Sequence, residues 1–347
     1  MADTYKFRID HHGGLVRPPE VLAAREKHAA GELGAAELRE VERLAVVDAV
    51  ALQRKLRLSV VTDGEYRRAD FRSAVLDAVS GFRRTGGTVD GMERWVADGD
   101  PEALRPLVAD DTVELAGLTV IAAKATLPAP SYLAAQCFEA GTGPASAREL
   151  GEALAAIVRE EIEQLVARGI RYVQLTNPDY ARDLDAAADA GRTALSFEDA
   201  LAVDALAVGL ASKPDDVRIG LCPAWTAPAE VDRTAAERLY AAVPVDRWIL
   251  PYTTGSAGET ALLAGVPVER DVCLGIVDAT VPGLEDIDAI MARMDVVADL
   301  KDIEDVAVSP DRSFSSVAGA AALTADQQRR KLIHVETVAR MCWGNEL

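Results

Sequence analysis

An α/β fold, specifically a single eight-stranded (β/α)8 TIM barrel, is the architecture this sequence predicts, and three observations predict it. Short β-rich runs alternate with helical periodicity along the whole chain, the pattern of parallel strands joined by crossover helices. Eight such units fit into 347 residues, a length that suits one barrel with modest insertions. No GxGxxG follows a strand and opens a helix, which weakens the case for an open dinucleotide-binding sheet.

Taken in order, the first strand is read at residues 5–10, followed by a Gly-Gly turn and one long amphipathic helix over 19–55. Strands two and three are read at 58–62 and 119–125. The excursion between them carries the turn-rich RRTGGTVDG, so residues 80–117 are expected to form an insertion, a small hairpin or lid. A helix over 147–167 stops at Gly169 and leads into strand four at 171–175. The later strands are read at 217–222, 247–252, 272–277 and 306–308, and the helices near 197–210, 228–242, 258–264, 284–298 and 324–342. No low-complexity linker divides the chain, so residues 1–347 read as one barrel domain.

Composition bounds the function. Nearly half the residues are hydrophobic, 49%, enough for a large core, and aromatics are scarce. The net charge of −19 argues against nucleic acid as a partner, since a basic face would be expected. An anionic substrate would need local Arg or Lys to overcome that field. Cys137, Cys222, Cys273 and Cys342 form no CxxC pair, which suits a reducing compartment rather than a disulfide framework. The N-terminus lacks the pattern of a signal peptide. No apolar run approaches the roughly 20 residues a membrane helix needs. The expectation is a cytoplasmic protein with a small-molecule substrate, no membrane partner and a possible homodimer.

In a barrel of this kind, catalytic residues sit where strands end. That rule nominates His11-His12, Asp63-Gly64-Glu65, Lys124-Ala125-Thr126, Thr176-Asn177, Cys222, Pro251-Tyr252, Asp278 and Asp311-Arg312. The same segments carry a resemblance to the cobalamin-independent methionine synthases, in their C-terminal catalytic barrel. VVTDGEYRRADF resembles that family's second-strand motif, VQLTNPDYARDL its segment after strand four, and CLGIVDATVPGLED the stretch after strand seven. VSPDRSF and KLIHVETVARMCWG resemble its last strand end and closing helix, so the matches run in order from about Phe7 to Trp343.

The resemblance implies a zinc site and also marks where this chain departs from it. The family holds zinc through an H-x-C, a Glu and a late Cys. Here those positions read Gly220-Leu221-Cys222, Pro251 and Arg312, so one ligand of four is left. Two family carboxylates that hold the homocysteine amine fall at Thr176 and Asn177, and the aromatic that stacks on folate falls at Gln136. Together these departures point away from methionine synthesis itself. No cofactor is therefore expected and no metal ligands are nominated; zinc would return only if the chain had kept the family reaction.

Among individual residues, Glu65 is the leading catalytic candidate, with pairing to Arg67 or Arg68 as the bland alternative. One of His11 and His12 should point into the barrel, because side chains alternate along a strand. That one would suit a general base. Arg17 could clamp a carboxylate or phosphate bidentately. Cys222 could serve as a residual thiol nucleophile or as small apolar lining. Arg312 would put a fixed cation where a metal-bound thiolate stands in the family, or pair with Asp311 or Asp278. Asn177, Tyr252 and Asp278 complete a polar mouth, and Trp225 could stack on a substrate ring.

Three functions stay open on these residues. The first is metal-free acid–base chemistry on a small anionic substrate, of lyase, isomerase or decarboxylase type. The second is a methyl or alkyl transferase, dependent on 5-methyltetrahydrofolate or a thiol. The third is a non-catalytic binding protein.

Overall fold

The computed structural model describes residues 6–188 and 194–344. Its main sheet has seven parallel strands: β1 (Val60–Val61), β4 (Ala122–Pro128), β5 (Tyr172–Thr176), β6 (Arg218–Cys222), β7 (Arg247–Pro251), β8 (Asp271–Val277) and β9 (Val306–Pro310), adjacent in that order. Between β1 and β4 lies an antiparallel hairpin, β2 (Phe82–Val89) with β3 (Met92–Ala97), where the glycine-rich turn predicted it.

The first expected strand contributes one bridge, Ile9 with Val308, rather than a regular strand, and residue 5 lies outside the described residues. That segment still closes the barrel. Asp10 N–H donates to Val308 O at 2.9 Å and Val308 N–H to Arg8 O at 2.9 Å, while Ser59 N–H donates to Ile9 O at 3.0 Å on the other side. The architecture is thus the (β/α)8 barrel the alternation predicts.

The expected helix over 19–55 is two helices, Pro19–Ala29 and Ala35–Lys55. The break has a local cause. Gly31 adopts a φ of +75°, which ends the first helix, and Gly34 then starts the second. Other helix starts follow capping chemistry in the sequence: Ser146, Ser196, Asp232, Ser256, Asp286 and Thr324 each accept a backbone N–H of the first turn. Helix Ala147–Ala167 turns Leu154, Val158, Ile162 and Leu165 toward the core, all fully buried.

The barrel lumen is polar near its N-terminal end. Asp10 accepts from Lys124 Nζ at 2.7 Å and from the Tyr172 hydroxyl at 2.7 Å, and Lys124 also donates to His11 O at 2.8 Å. Lys124 lies 4.5 Å from the centroid of the Tyr172 ring, with Arg247 on the same ring at 5.5 Å. Burial alone would raise the Asp10 carboxyl, but Lys124, Arg247 and the tyrosine hydroxyl outweigh it and hold it below its usual range. The ion pair also fixes the backbone of residues 10–11, from which both histidines project.

Candidate functional site

The two histidines leave that backbone in opposite directions. His11 turns outward, its Nε2 meeting Gln53 Oε1 of helix Ala35–Lys55 at 2.9 Å. Gln53 Oε1 already accepts Thr62 N–H, so His11 Nε2 carries the proton and Nδ1 accepts Gly13 N–H at 3.4 Å. His12 turns inward to a cleft at the barrel mouth. Both its ring nitrogens are buried with no hydrogen-bond partner among the described residues. Burial, with the Lys124 charge below, lowers His12 to about 3, and burial lowers His11 to about 4. Both imidazoles are therefore neutral at pH 7.

Glu65 follows β1 on a strained turn. Its φ is +58°, uncommon outside glycine, and Gly64 before it has φ +68°. Asp63 Oδ1 accepts Glu65 N–H at 2.9 Å. Arg17 Nη2 holds the Glu65 carbonyl at 2.9 Å and the Arg68 carbonyl at 3.1 Å, while Arg17 Nη1 holds Ser315 Oγ at 2.9 Å. The guanidinium expected to clamp an anion is thus committed to bracing the Glu65 turn against the loop after β9.

The glycines before Arg17 make room for the carboxylate. A Cβ on Gly13, whose φ is +115°, would stand 2.9 Å from Glu65 Oε1, and one on Gly14 would stand 3.1 Å from Oε2. Glu65 Oε1 accepts the Thr126 hydroxyl at 2.7 Å and lies 3.4 Å from Arg68 Nη1. Its Oε2 is buried with no partner among the described residues. Burial raises the carboxyl above its ordinary value even with Arg68 beside it.

Arg68 completes the group. Among the described residues its hydrogen bonds run through Nη1, to Thr126 O at 3.0 Å and Thr126 Oγ1 at 3.1 Å besides Glu65, and none runs through Nη2 or Nε. Phe71 and Trp225 form an aromatic wall, edge to face at 5.8 Å, with Tyr132 stacked behind Phe71 at 5.5 Å. The cleft opens to solvent at its rim and is also lined by Thr126, Thr176, Ser313 and Ser316.

Of the residues singled out from sequence, His12, Glu65 and Trp225 meet in this cleft, together with the strand-end Thr126 and Thr176, and the others stand elsewhere. Asn177 donates to Ser131 Oγ at 2.8 Å, joining a buried group around Asp204. Tyr252 is packed in the core. Asp278 caps its own loop through Thr280, Oδ1 to Oγ1 at 2.6 Å. Arg312 ties the loop after β9 to the loop after β6, through Asp311 Oδ2, Trp225 O and Thr226 Oγ1, each at 2.9 Å. Sequence reasoning treated Arg68 only as a partner for Glu65 and passed over Phe71. Both lie within seven residues of Glu65, on the turn whose path the positive φ sets.

At the four positions where the family resemblance implies zinc, the residues present do not form its ligand set. Cys222 is fully buried among Ile249, Cys273 and Ala307. Its thiol is pushed up to about 12 by burial, and its Sγ lies 3.4 Å from Ala224 O. A Cβ on Gly220 would already press on Ile249 Cδ1 at 3.2 Å. Pro251 offers no donor, and Arg312 is a cation with its own partners. One protonated thiol does not fit the four-ligand nitrogen and sulfur shell that zinc takes. Among the described residues, no three His, Cys, Asp or Glu side chains are grouped to hold a metal ion.

Fold and site together describe a β/α barrel with polar groups gathered at its strand ends. Residues 17–332 match the family of the cobalamin-independent synthase catalytic domain, and the chain belongs to that family. An uncharacterized Bacillus subtilis protein, YxjG, is 28% identical over 361 residues, covering 97% of this chain and 95% of that one. The 5-methyltetrahydropteroyltriglutamate–homocysteine methyltransferase of Rhodococcus jostii is 28% identical over 172 residues, 48% of this chain and 23% of that protein. Among solved structures, one from Listeria monocytogenes, provisionally named a vitamin-B12-independent methionine synthase, superposes with a TM-score of 0.78 at 22% identity, covering 98% of each chain. At that identity the likeness speaks for the fold. Among the described residues, no helix is long and apolar enough to cross a membrane.

Proposed function

We propose that this family member is a metal-free enzyme that performs acid–base chemistry, of lyase, isomerase or decarboxylase type, on a small anionic substrate. One observation carries the reading: Glu65 Oε2 and both His12 nitrogens, buried and unpartnered, line the same cleft as the uncommitted side of Arg68. Each such atom costs about 1–3 kcal/mol when nothing bonds to it, so a ligand that supplies the partners gains what the empty protein lacks. Arg68 holds the anionic group through Nη2 and Nε. Glu65, its carboxyl raised by burial, moves a proton at Oε2. Neutral His12 accepts a proton or hydrogen bond at one ring nitrogen and donates from the other.

The test is a turnover screen of small hydroxy, keto and dicarboxylic acids followed by NMR, with Glu65→Gln as the control. The variant should bind the substrate with Kd within about threefold of wild type yet lose some 10²–10⁴-fold in turnover, the usual worth of a general acid or base. Full turnover in Glu65→Gln would end the reading.

Family membership favours a second reading, methyl or alkyl transfer to a thiol, because the Rhodococcus relative carries that activity in its name. Methylation of homocysteine by this protein, from a 5-methyltetrahydropteroyl donor and with zinc bound, would establish it.

A further inference from the structure

Gln174 has no part in the arrangement above, yet its surroundings ask for a ligand. It sits in β5 between Tyr172 and Thr176, and alternation puts all three side chains on the lumen face. The Tyr172 hydroxyl reaches Asp10 below, and Thr176 lines the cleft above. Gln174 is 1% exposed. Its Nε2 donates to Thr176 Oγ1 at 3.1 Å, while its Oε1 is buried with no partner among the described residues. Packing does not require an amide here, since Ile249, Cys273 and Ala307 fill the lumen on later strands without a polar atom to satisfy. A Leu or Met at 174 would fill comparable space without leaving a buried acceptor unpaired.

We propose that Gln174 is the floor of the cleft and a specificity-determining residue, its amide oxygen accepting a hydrogen bond from a hydroxyl of the substrate. The substrate class becomes a small hydroxylated acid, which rests on the reading of the cleft as an anion site. The geometry sets the length of such a molecule. Arg68 Nη1 is bound to Thr126, and Thr126 is the register partner of Gln174 in the neighbouring strand. Neighbouring strands lie about 4.8 Å apart, so a carboxylate at Arg68 and a hydroxyl at Gln174 are separated by a few carbon atoms. The hydroxyl is an ordinary donor and no covalent step is involved.

The experiment uses butyrate, 2-hydroxybutyrate and 3-hydroxybutyrate as probes, with affinities measured by calorimetry on the full chain. Wild type should bind at least one hydroxy acid about tenfold more tightly than butyrate, the size of one well-made hydrogen bond. In Gln174→Met that preference should fall to within about twofold while butyrate binding is kept. Arg68→Ala should weaken all three acids together. The melting temperature of Gln174→Met should not fall, because the variant removes an unpaired buried acceptor. Should Gln174→Met fail to fold, wild-type crystals soaked with 1,2-butanediol or 1-butanol answer the same question, the prediction being a diol hydroxyl on Gln174. Acid binding without any hydroxyl preference, or a preference that survives in Gln174→Met, overturns the floor and leaves the anion site standing. Diol bound at Gln174 with no acid bound anywhere supports the floor and breaks the anion reading. No probe bound in either arm overturns both.

Discussion

The two sides of the barrel rim are built on opposite principles. On the side formed by residues 8–12, β1, β4 and β5, the cleft collects His12, Glu65, Arg68 and Thr126, and several of their polar atoms lack partners. On the side formed by β6 to β9, the lumen is filled by Cys222, Ile249, Cys273 and Ala307, and the charged groups above it, Asp311 and Arg312, are bonded to each other and to the loop after β6. The family resemblance puts zinc on this second side, and apolar packing now occupies it. The comparison teaches where to look for chemistry. Unpaired polar groups persist only where something else compensates for them, and among the described residues that line this cleft they belong to His12 and Glu65, on the first side.

Predictions that break or sharpen the contrast begin with the largest effect. Arg68→Ala should lower affinity for small carboxylates by about a hundredfold, the loss of a charge-assisted pair in a partly buried cleft. Calorimetry checks it, and an unchanged affinity would move the anion site elsewhere. Cys222→Ala, on the packed side, should leave anion affinity and any turnover within about threefold and cost about 1 kcal/mol of stability, a lost small apolar contact. A collapse of activity with stability intact would show that the thiol reacts.

Next comes pH. His11 and His12 have folded pKa values of about 4 and about 3, below the ordinary 6.5. The unfolded chain therefore binds their protons first, and the stability they carry is complete above pH 6.5 and lost as pH falls. Between pH 7 and pH 5 each should remove about 2 kcal/mol. Denaturant titration of His12→Asn should show the acid-side loss reduced by that amount; an unchanged slope would mean His12 is not held neutral. The smallest effect expected is for Arg312→Lys, which keeps the charge and gives up the fork across the two loops, for about 1 kcal/mol at a partly exposed site.

Much of the barrel was legible in the sequence because its strands are short, buried on both faces and separated by capped helices. Strand β7 was expected over 247–252 and stands at Arg247–Pro251, and β9 was expected over 306–308 and stands at Val306–Pro310. The helix break at Gly31 was missed because amphipathic periodicity resumes after it, and local glycine geometry does not disturb that pattern.

The site was legible in part. Alternation required one of His11 and His12 to face inward, but which one depends on Gln53, 42 residues away. Arg17 had the residue type of an anion clamp, and only the turn that packs against it reveals three carbonyls and a hydroxyl as its partners. Gln174 lay inside a quoted motif and drew no role, since an unpaired atom exists only in three dimensions.

The most direct test of the contrast between the two sides is metal content measured alongside ligand binding. Purified protein should carry well under one zinc per chain, and treatment with a chelator should leave its affinity for hydroxybutyrate unchanged. One zinc per chain, lost together with binding on chelation and on Cys222→Ser, would put the chemistry on the β6 to β9 side and contradict the account.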